Sequence, residues 1–322
     1  MKSQVVVIGS FVQDLTWHCA EFPQVGETVI GRFVSGPGGK GSNQAVASAR
    51  AGAATAFIGA VGADVFAEAA QKFHAAEGLN TFFATKPDHA TGTAAILVNQ
   101  SAQNEIVVAL GANAHLQPAD VDASLLREAK VVVCQHETNL AVNDHVFRLA
   151  REASVTTVLN PAPMRPDFDP GILRLVDVLI PNETEFVTMI NLVGAKTGRS
   201  SRDAVTESAL QTMATADLHG LCRTLGVKTV IVTLGRRGCF VSEENRHTTI
   251  PAHTGLKVVD TTGAGDAFVG GFSAGLVQFQ GDLIAAARQG NAVAALSITK
   301  FGTAPSMPTK SEIETFLLAH KT

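Results

Sequence analysis

Five short runs of β-branched and aliphatic residues, Val5 to Ile8, Val131 to Cys134, Thr156 to Leu159, Val176 to Ile180 and Thr229 to Thr233, punctuate the chain. Apolar runs this short and this continuous read as strands buried on both faces. Between them lie Ala- and Leu-rich stretches with helical spacing, among them Asn43 to Ala51, Val65 to His74, Ala141 to Glu152 and Ala216 to Leu225. Repeated alternation of this kind predicts parallel strands joined by helical crossovers, an α/β sheet covered on both sides. Such sheets bind ligands beyond the carboxyl ends of their strands, so motifs that directly follow strands are the first candidates for function.

Two regions depart from the alternation. About Asp14 to Val34 is one; the other runs from Thr93 to Leu110, where Thr93 to Val98 and Ile106 to Val108 flank polar Asn99 to Asn104 as a β-hairpin. Together, over about residues 11–36 and 92–111, they predict a small sheet standing off the main one as a lid over a site that excludes water. Extension of the main sheet is the alternative. Val193 to Asp217 is polar and rich in Ser, Thr and Ala, which predicts a long surface excursion including a helix. The 322 residues, 46% of them hydrophobic, suit one large domain over 1–322 with that small appendage.

A formal net charge of −4 with no run of Lys or Arg argues against nucleic acid or an anionic membrane as partner and for small molecules. The apolar start is too short for a signal peptide, and no segment has transmembrane length. Cys19, Cys134, Cys222 and Cys239 form no Cys-x-x-Cys pair, so a reducing, cytoplasmic setting is expected. The ten histidines lack ligand spacing, and no zinc site is expected.

The most informative motif is Asp260-Thr261-Thr262-Gly263-Ala264-Gly265-Asp266, placed between the strand-like Leu256 to Val259 and a helix of small residues. Gly263, Ala264 and Gly265 can turn backbone N–H groups toward one point at a helix N-terminus, where a transferring phosphoryl group would be stabilised. Asp266 is then placed to accept a proton from an attacking hydroxyl. A plain turn whose acidic residue complements the helix dipole is the competing reading.

Gly36-Pro37-Gly38-Gly39-Lys40-Gly41-Ser42-Asn43-Gln44 looks superficially like a P-loop but lacks its first glycine and has Gly41 where Ser or Thr belongs. Its glycines instead allow close approach of a ligand, with Lys40 and Asn43 as polar contacts; a flexible turn is the alternative. Gly9 stands without the further glycines of a dinucleotide fingerprint. In Pro181-Asn182-Glu183-Thr184-Glu185, Asn182 and Glu185 could hold magnesium through its waters, or Asn182 could cap a helix. Thr233-Leu234-Gly235-Arg236-Arg237-Gly238 follows a strand and could meet nucleotide phosphates or be a glycine turn.

In this order and over nearly the whole chain, these motifs resemble the ribokinase family of sugar kinases, the PfkB family. Gly38 to Ala45 is similar to the family's sugar-site motif and Asp260 to Phe268 to its catalytic one, while Asn160-Pro161-Ala162-Pro163 and Pro181 to Glu185 are similar to its ribokinase members. The resemblance implies a ribokinase-like three-layer α/β/α sandwich with a β lid that often forms a homodimer contact. It implies transfer of the ATP γ-phosphate to the primary hydroxyl of a pentose, ribose first. Asp266 is then the base and Gly263, Ala264 and Gly265 the anion hole. Asp14, Gly39, Lys40, Asn43 and Glu137 are implied sugar contacts, and Asn182, Glu185, Thr233, Gly235 and Asn291 nucleotide or magnesium contacts. A monovalent cation, usually potassium, is implied beside the anion hole at Asp260, Thr262 and Ser306.

Two departures bear on the substrate. Ribokinases have Asn two residues before the sugar-binding Asp, where this chain has Val12, as the family's deoxyribokinases have an apolar residue. A sugar hydroxyl therefore loses a partner, and 2-deoxyribose becomes a rival to ribose, with the family's other sugar and nucleoside kinases as further alternatives. The second departure is the Val193 to Asp217 excursion, which leaves the motifs intact. A non-catalytic sugar or nucleotide sensor and, third, an NAD-dependent oxidoreductase are the readings from other classes.

Overall fold

The computed structural model describes residues 2–101, 103–196, 198 and 204–320. Strand β1 (Val5–Ile8) is wholly buried near the middle of a sheet. Val6 and Ile8 enter one helical layer, Val5 and Val7 the other, as the two-residue period of a strand requires. The chain leaves this sheet at Gly9 and passes straight into a second one through β2 (Val12–His18), which pairs antiparallel with β3 (Arg32–Gly38). Helix α1 (Lys40–Arg50), strand β4 (Thr55–Val61), helix α2 (Val65–Ala76) and strand β5 (Asn80–Thr85) return it to the large sheet. Strands β6 (Gly92–Val98) and β7 (Asn104–Ala109) then complete the small sheet, in the order β3-β2-β6-β7. The two irregular segments thus meet in a separate sheet and do not extend the main one.

The remaining elements are α3 (Ala123–Glu128), β8 (Val131–Cys134), α4 (Leu140–Glu152), β9 (Thr156–Leu159), β10 (Val178–Leu179), α5 (Glu183–Lys196), α6 (Glu207–Thr212) and α7 (Thr215–Thr224). After them come β11 (Thr229–Thr233), β12 (Cys239–Ser242), β13 (His247–Ile250), α8 (Ala264–Gln278), α9 (Leu283–Ser297) and α10 (Lys310–Ala319). The large sheet runs β13-β12-β11-β10-β9-β8-β1-β4-β5, parallel from β11 to β5 with an antiparallel hairpin at the β12–β13 edge. Helices α3 to α7 cover one face, and α1, α2, α8, α9 and α10 the other. This is the three-layer α/β/α arrangement expected.

The α1–α8 contact joins segments that are far apart in sequence. Gly270 lies so near α1 that a Cβ there would collide with the Gln44 carbonyl oxygen and stand 2.5 Å from the Ala47 Cβ. Beneath α2, the ring of His74 sits among Phe11, Phe57, Phe73 and Phe83. Its Nε2 is 2.8 Å from the Ser42 hydroxyl and its Nδ1 3.2 Å from that of Thr81.

Three expectations need correction. Leu256 to Val259 is not a strand: the segment lies outside both sheets, held by Val259 N–H on the Ile298 carbonyl, and leaves Val258 half exposed. The run from Val176 contributes a strand of only Val178–Leu179, because Val176 still closes the preceding 3-10 turn. The excursion placed at Val193 begins later, since α5 continues to Lys196. It contains α6, and α7 starts before its expected end, while residues 197 and 199–203 fall outside the described residues.

Candidate active site

The turn before α8 owes its shape to Gly263, which adopts a left-handed φ of 78° that a side chain would strain. The first full helical bond runs from Ala267 N–H to the Gly263 carbonyl at 2.8 Å. The N–H groups of Gly265 and Asp266 therefore have no acceptor within the helix and aim off its N-terminus, where the dipole favours an anion. Ala264 N–H, expected in the anion hole, instead reaches back to the Thr261 carbonyl in a long bond of 3.3 Å.

Asp266, in the first turn of α8, is buried, and two amides from α1 fix both of its oxygens. Asn43 Nδ2 donates to Oδ2 and Gln44 Nε2 to Oδ1, each at 2.9 Å. These amides follow each other because α1 starts at Lys40, earlier than its Ala-rich pattern suggests. Gly39 precedes it with φ 91°, so close to β2 that a Cβ would stand 2.7 Å from Val12 N. Gly38 must likewise lack a side chain, since a Cβ there would strike the Asp14 carboxylate.

Three carboxylates act on Lys40. Burial disfavours its ammonium, but Asp266, Glu137 and Glu185 outweigh burial and hold its pKa above the ordinary lysine value. Asp14 shows the opposite face of the same crowding: burial first, then Glu137 and Asp266, push it up to about 7, against a hydrogen bond from Thr303. Burial also raises Glu185, although its Oε2 accepts Asn182 N–H and Lys40 stands near. Glu137 reaches α1 directly, accepting from Lys40 N–H at 3.0 Å and from the Ser10 hydroxyl at 2.6 Å.

A cavity of about 180 Å³ opens on Lys40, Glu185 and Asp266, and is lined also by Asn182, Thr233, Thr261 and the residues from Gly263 to Gly265. A larger one of about 250 Å³, against His136 and Phe168, lies apart from these groups. Asn182 and Glu185 form a reciprocal cap on α5, Glu185 N–H donating to Asn182 Oδ1 at 2.8 Å while Asn182 N–H returns the bond at 2.9 Å. The capping reading of Asn182 therefore holds, and the pair also lines the cavity. Gly235, with φ 53°, turns the chain just beyond Thr233. Asn291 stands outside the lining residues; its amide secures the Pro251 carbonyl at 2.7 Å and so ties the segment after β13 to α9.

Asp260 joins two loops, accepting from Thr262 N–H at 2.9 Å and Gly302 N–H at 3.1 Å. Ser306 lies in the second loop, its hydroxyl on the Thr303 carbonyl at 2.7 Å. Both oxygens of Asp260 are thus taken by backbone N–H groups, which hold the Thr262 turn against the loop that carries Ser306. Glu185, which lines the cavity and has one oxygen free of N–H donors, suits a hydrated magnesium ion. Gln44 and Gln135 carry no distinctive pattern and are the site's residues that motif reading passed over, although Gln44 stood inside the first glycine motif.

An anion-receiving turn beside a carboxylate that can take a hydroxyl proton is the working arrangement of a small-molecule kinase. Residues 2–310 match the pfkB family carbohydrate kinases, and the chain belongs to that family. It is therefore a sugar kinase, and the oxidoreductase and sensor readings fall away. It is 36% identical to the ribokinase of Haemophilus influenzae over 321 residues, 98% of this chain and 99% of that protein. It is 32% identical to the deoxyribokinase of Salmonella typhimurium over 321 residues, 97% of this chain and 98% of that one. Its fold is similar to Arabidopsis thaliana ribokinase complexed with ribose and ATP, with a TM-score of 0.83, 27% identity and coverage of 98% and 99% of the two chains.

Proposed function

We propose that the protein transfers the γ-phosphoryl group of ATP to the primary hydroxyl of a pentose, D-ribose first, giving ribose 5-phosphate and ADP. The observation that carries this reading is Asp266, buried with both oxygens oriented by α1 and set beside the open N–H groups of α8. The hydroxyl proton passes to Asp266 as the new O–P bond forms and the bond from the γ-phosphorus to the bridging oxygen breaks. Gly263, Ala264 and Gly265 receive the equatorial charge, and Lys40 faces it from α1. Asp14, Gly39, Lys40, Asn43 and Glu137 hold the sugar. Asn43 Oδ1 is buried without a partner and is ready to accept from a sugar hydroxyl. Asn182, Glu185, Thr233, Gly235 and Asn291 take the nucleotide side.

Magnesium, when bound through water to Glu185, supplies neutralisation of phosphate charge. Potassium is assigned to the loops tied by Asp260, at Thr262 and Ser306. The small sheet works as the lid of a single domain, in a cytoplasmic enzyme whose four cysteines are free and buried. Its exposed Trp17, Phe33, Ile106 and Val107 suit a homodimer contact. Phe33→Glu is accordingly expected to yield a monomer where the parent elutes as a dimer in light scattering; a parent that is already monomeric refutes the contact.

Deoxyribose phosphorylation is the second reading, favoured by Val12. This residue is buried on the same face of β2 as Asp14, two positions away, and offers a sugar no hydrogen bond. Steady-state ADP release with each sugar separates the two readings. Val12→Asn is expected to raise the kcat/KM ratio of ribose over 2-deoxyribose by about 5- to 150-fold, the equivalent of 1–3 kcal/mol. An unchanged ratio removes Val12 from the sugar contact.

A further inference from the structure

Gly9 ends β1 without belonging to any phosphate-binding fingerprint, and its neighbours explain it. A Cβ at Gly9 would collide with Oε1 of Gln135. Gln135 follows β8, is buried, and has its backbone carbonyl fixed by Asn143 Nδ2 of α4 at 2.7 Å. Its Nε2 donates to Gln44 Oε1 at 2.6 Å. Gln44 Nε2 then donates to Asp266 Oδ1 at 2.9 Å and to Asn160 Oδ1 at 3.0 Å. Asn160 is held in turn by donating to the Ile180 carbonyl at 2.8 Å.

The bonds of this chain run in one direction. Both amide protons of Gln44 are committed, so its oxygen needs a donor, and Gln135 supplies it. Without that donor the Gln44 oxygen is left buried and unpaired and the side chain loses its anchor on the side away from the carboxylate, so the direction of its N–H toward Asp266 is no longer fixed. Gln135 also keeps its Oε1 buried and unpartnered, an arrangement costing roughly 1–3 kcal/mol that stability alone does not select. Neither Gln44 nor Gln135 lines the cavity.

We infer that Gln135 is a positioning residue for phosphoryl transfer: through Gln44 it fixes the direction in which Asp266 meets the attacking hydroxyl. The inference rests on Asp266 being the base. Gly9 is the complement of this device, the one residue type that leaves room for the Gln135 amide. A base displaced by even a fraction of a bond length loses rate and leaves sugar binding intact, because no sugar contact proposed above passes through Gln135.

The test is a double-mutant cycle on the full chain, with kcat and KM for ribose read by ADP release. Gln135→Met, close in volume and unable to donate, is expected to lower kcat by about 10- to 100-fold with KM within about twofold. Combined with Asp266→Asn it is expected to change the residual rate by less than about twofold, since it acts only through the carboxylate. Gln135→Leu provides the same deletion in a second shape should the methionine variant fold poorly. A kcat within twofold of the parent, a loss expressed in KM, or an equal fold-loss in both backgrounds overturns the inference. Near-normal turnover of Asp266→Asn alone is a different result: it removes the base itself.

Discussion

Asp266→Asn is expected to lower kcat for sugar phosphorylation by about 10²- to 10⁴-fold, the range general-base catalysis supplies, with little change in thermal stability. Folding survives because the substitution is nearly isosteric and its surroundings can adapt. The amide introduced at position 266 brings a donor to a place where Asn43 and Gln44 both donate. Asn43 can rotate and present its Oδ1, which has no other partner. Melting temperature and single-turnover phosphorylation, measured on the same preparation, separate chemistry from folding. Turnover near that of the parent would transfer the role to another group.

The second large effect is on stability and arises far from the sugar. Burial among four phenylalanine rings pushes His74 down from 6.5 to about 4, with only two hydroxyls as polar neighbours. The unfolded chain therefore binds a proton there that the folded one refuses between pH 6.5 and 4. Stability from this group is complete above 6.5 and is lost as pH falls, by about 3 kcal/mol at pH 4. Asp14, raised when folded, contributes in the opposite direction over an overlapping range, so the whole-protein profile mixes the two. Comparison with His74→Gln isolates the histidine. The stability gap between parent and variant in urea titrations is expected to shrink by about 3 kcal/mol from pH 7 to pH 4. A constant gap would show that His74 is not held neutral.

The buried strands were legible because β1, β8, β9 and β11 are short runs dominated by β-branched residues with no charged residue among them, and a sheet covered on both faces requires that. The small sheet was legible from the polar tip at Asn99 to Asn104 between two apolar runs. Leu256 to Val259 misled because a short aliphatic run fits a strand equally well when it is held on α9 by backbone bonds. At the site, glycines announce themselves: Gly39 and Gly263 need positive φ, and few other residues tolerate it. Gln44 and Gln135 do not, since an amide in a sequence looks the same whether it faces water or a carboxylate. Lys40 was visible as a contact, but its setting among Glu137, Glu185 and Asp266 depends on strands and helices far apart in sequence.

The meeting of α1 and α8 at Gly270 has a consequence for how this enzyme can change. The amides that aim the base sit on one helix, the base on another, and the two are separated by the absence of a single methyl group. Drift in the packing of either helix is therefore drift in the alignment of the base. Positions on this seam, although they touch neither sugar nor nucleotide, would register in a survey of variants as though they belonged to the chemistry.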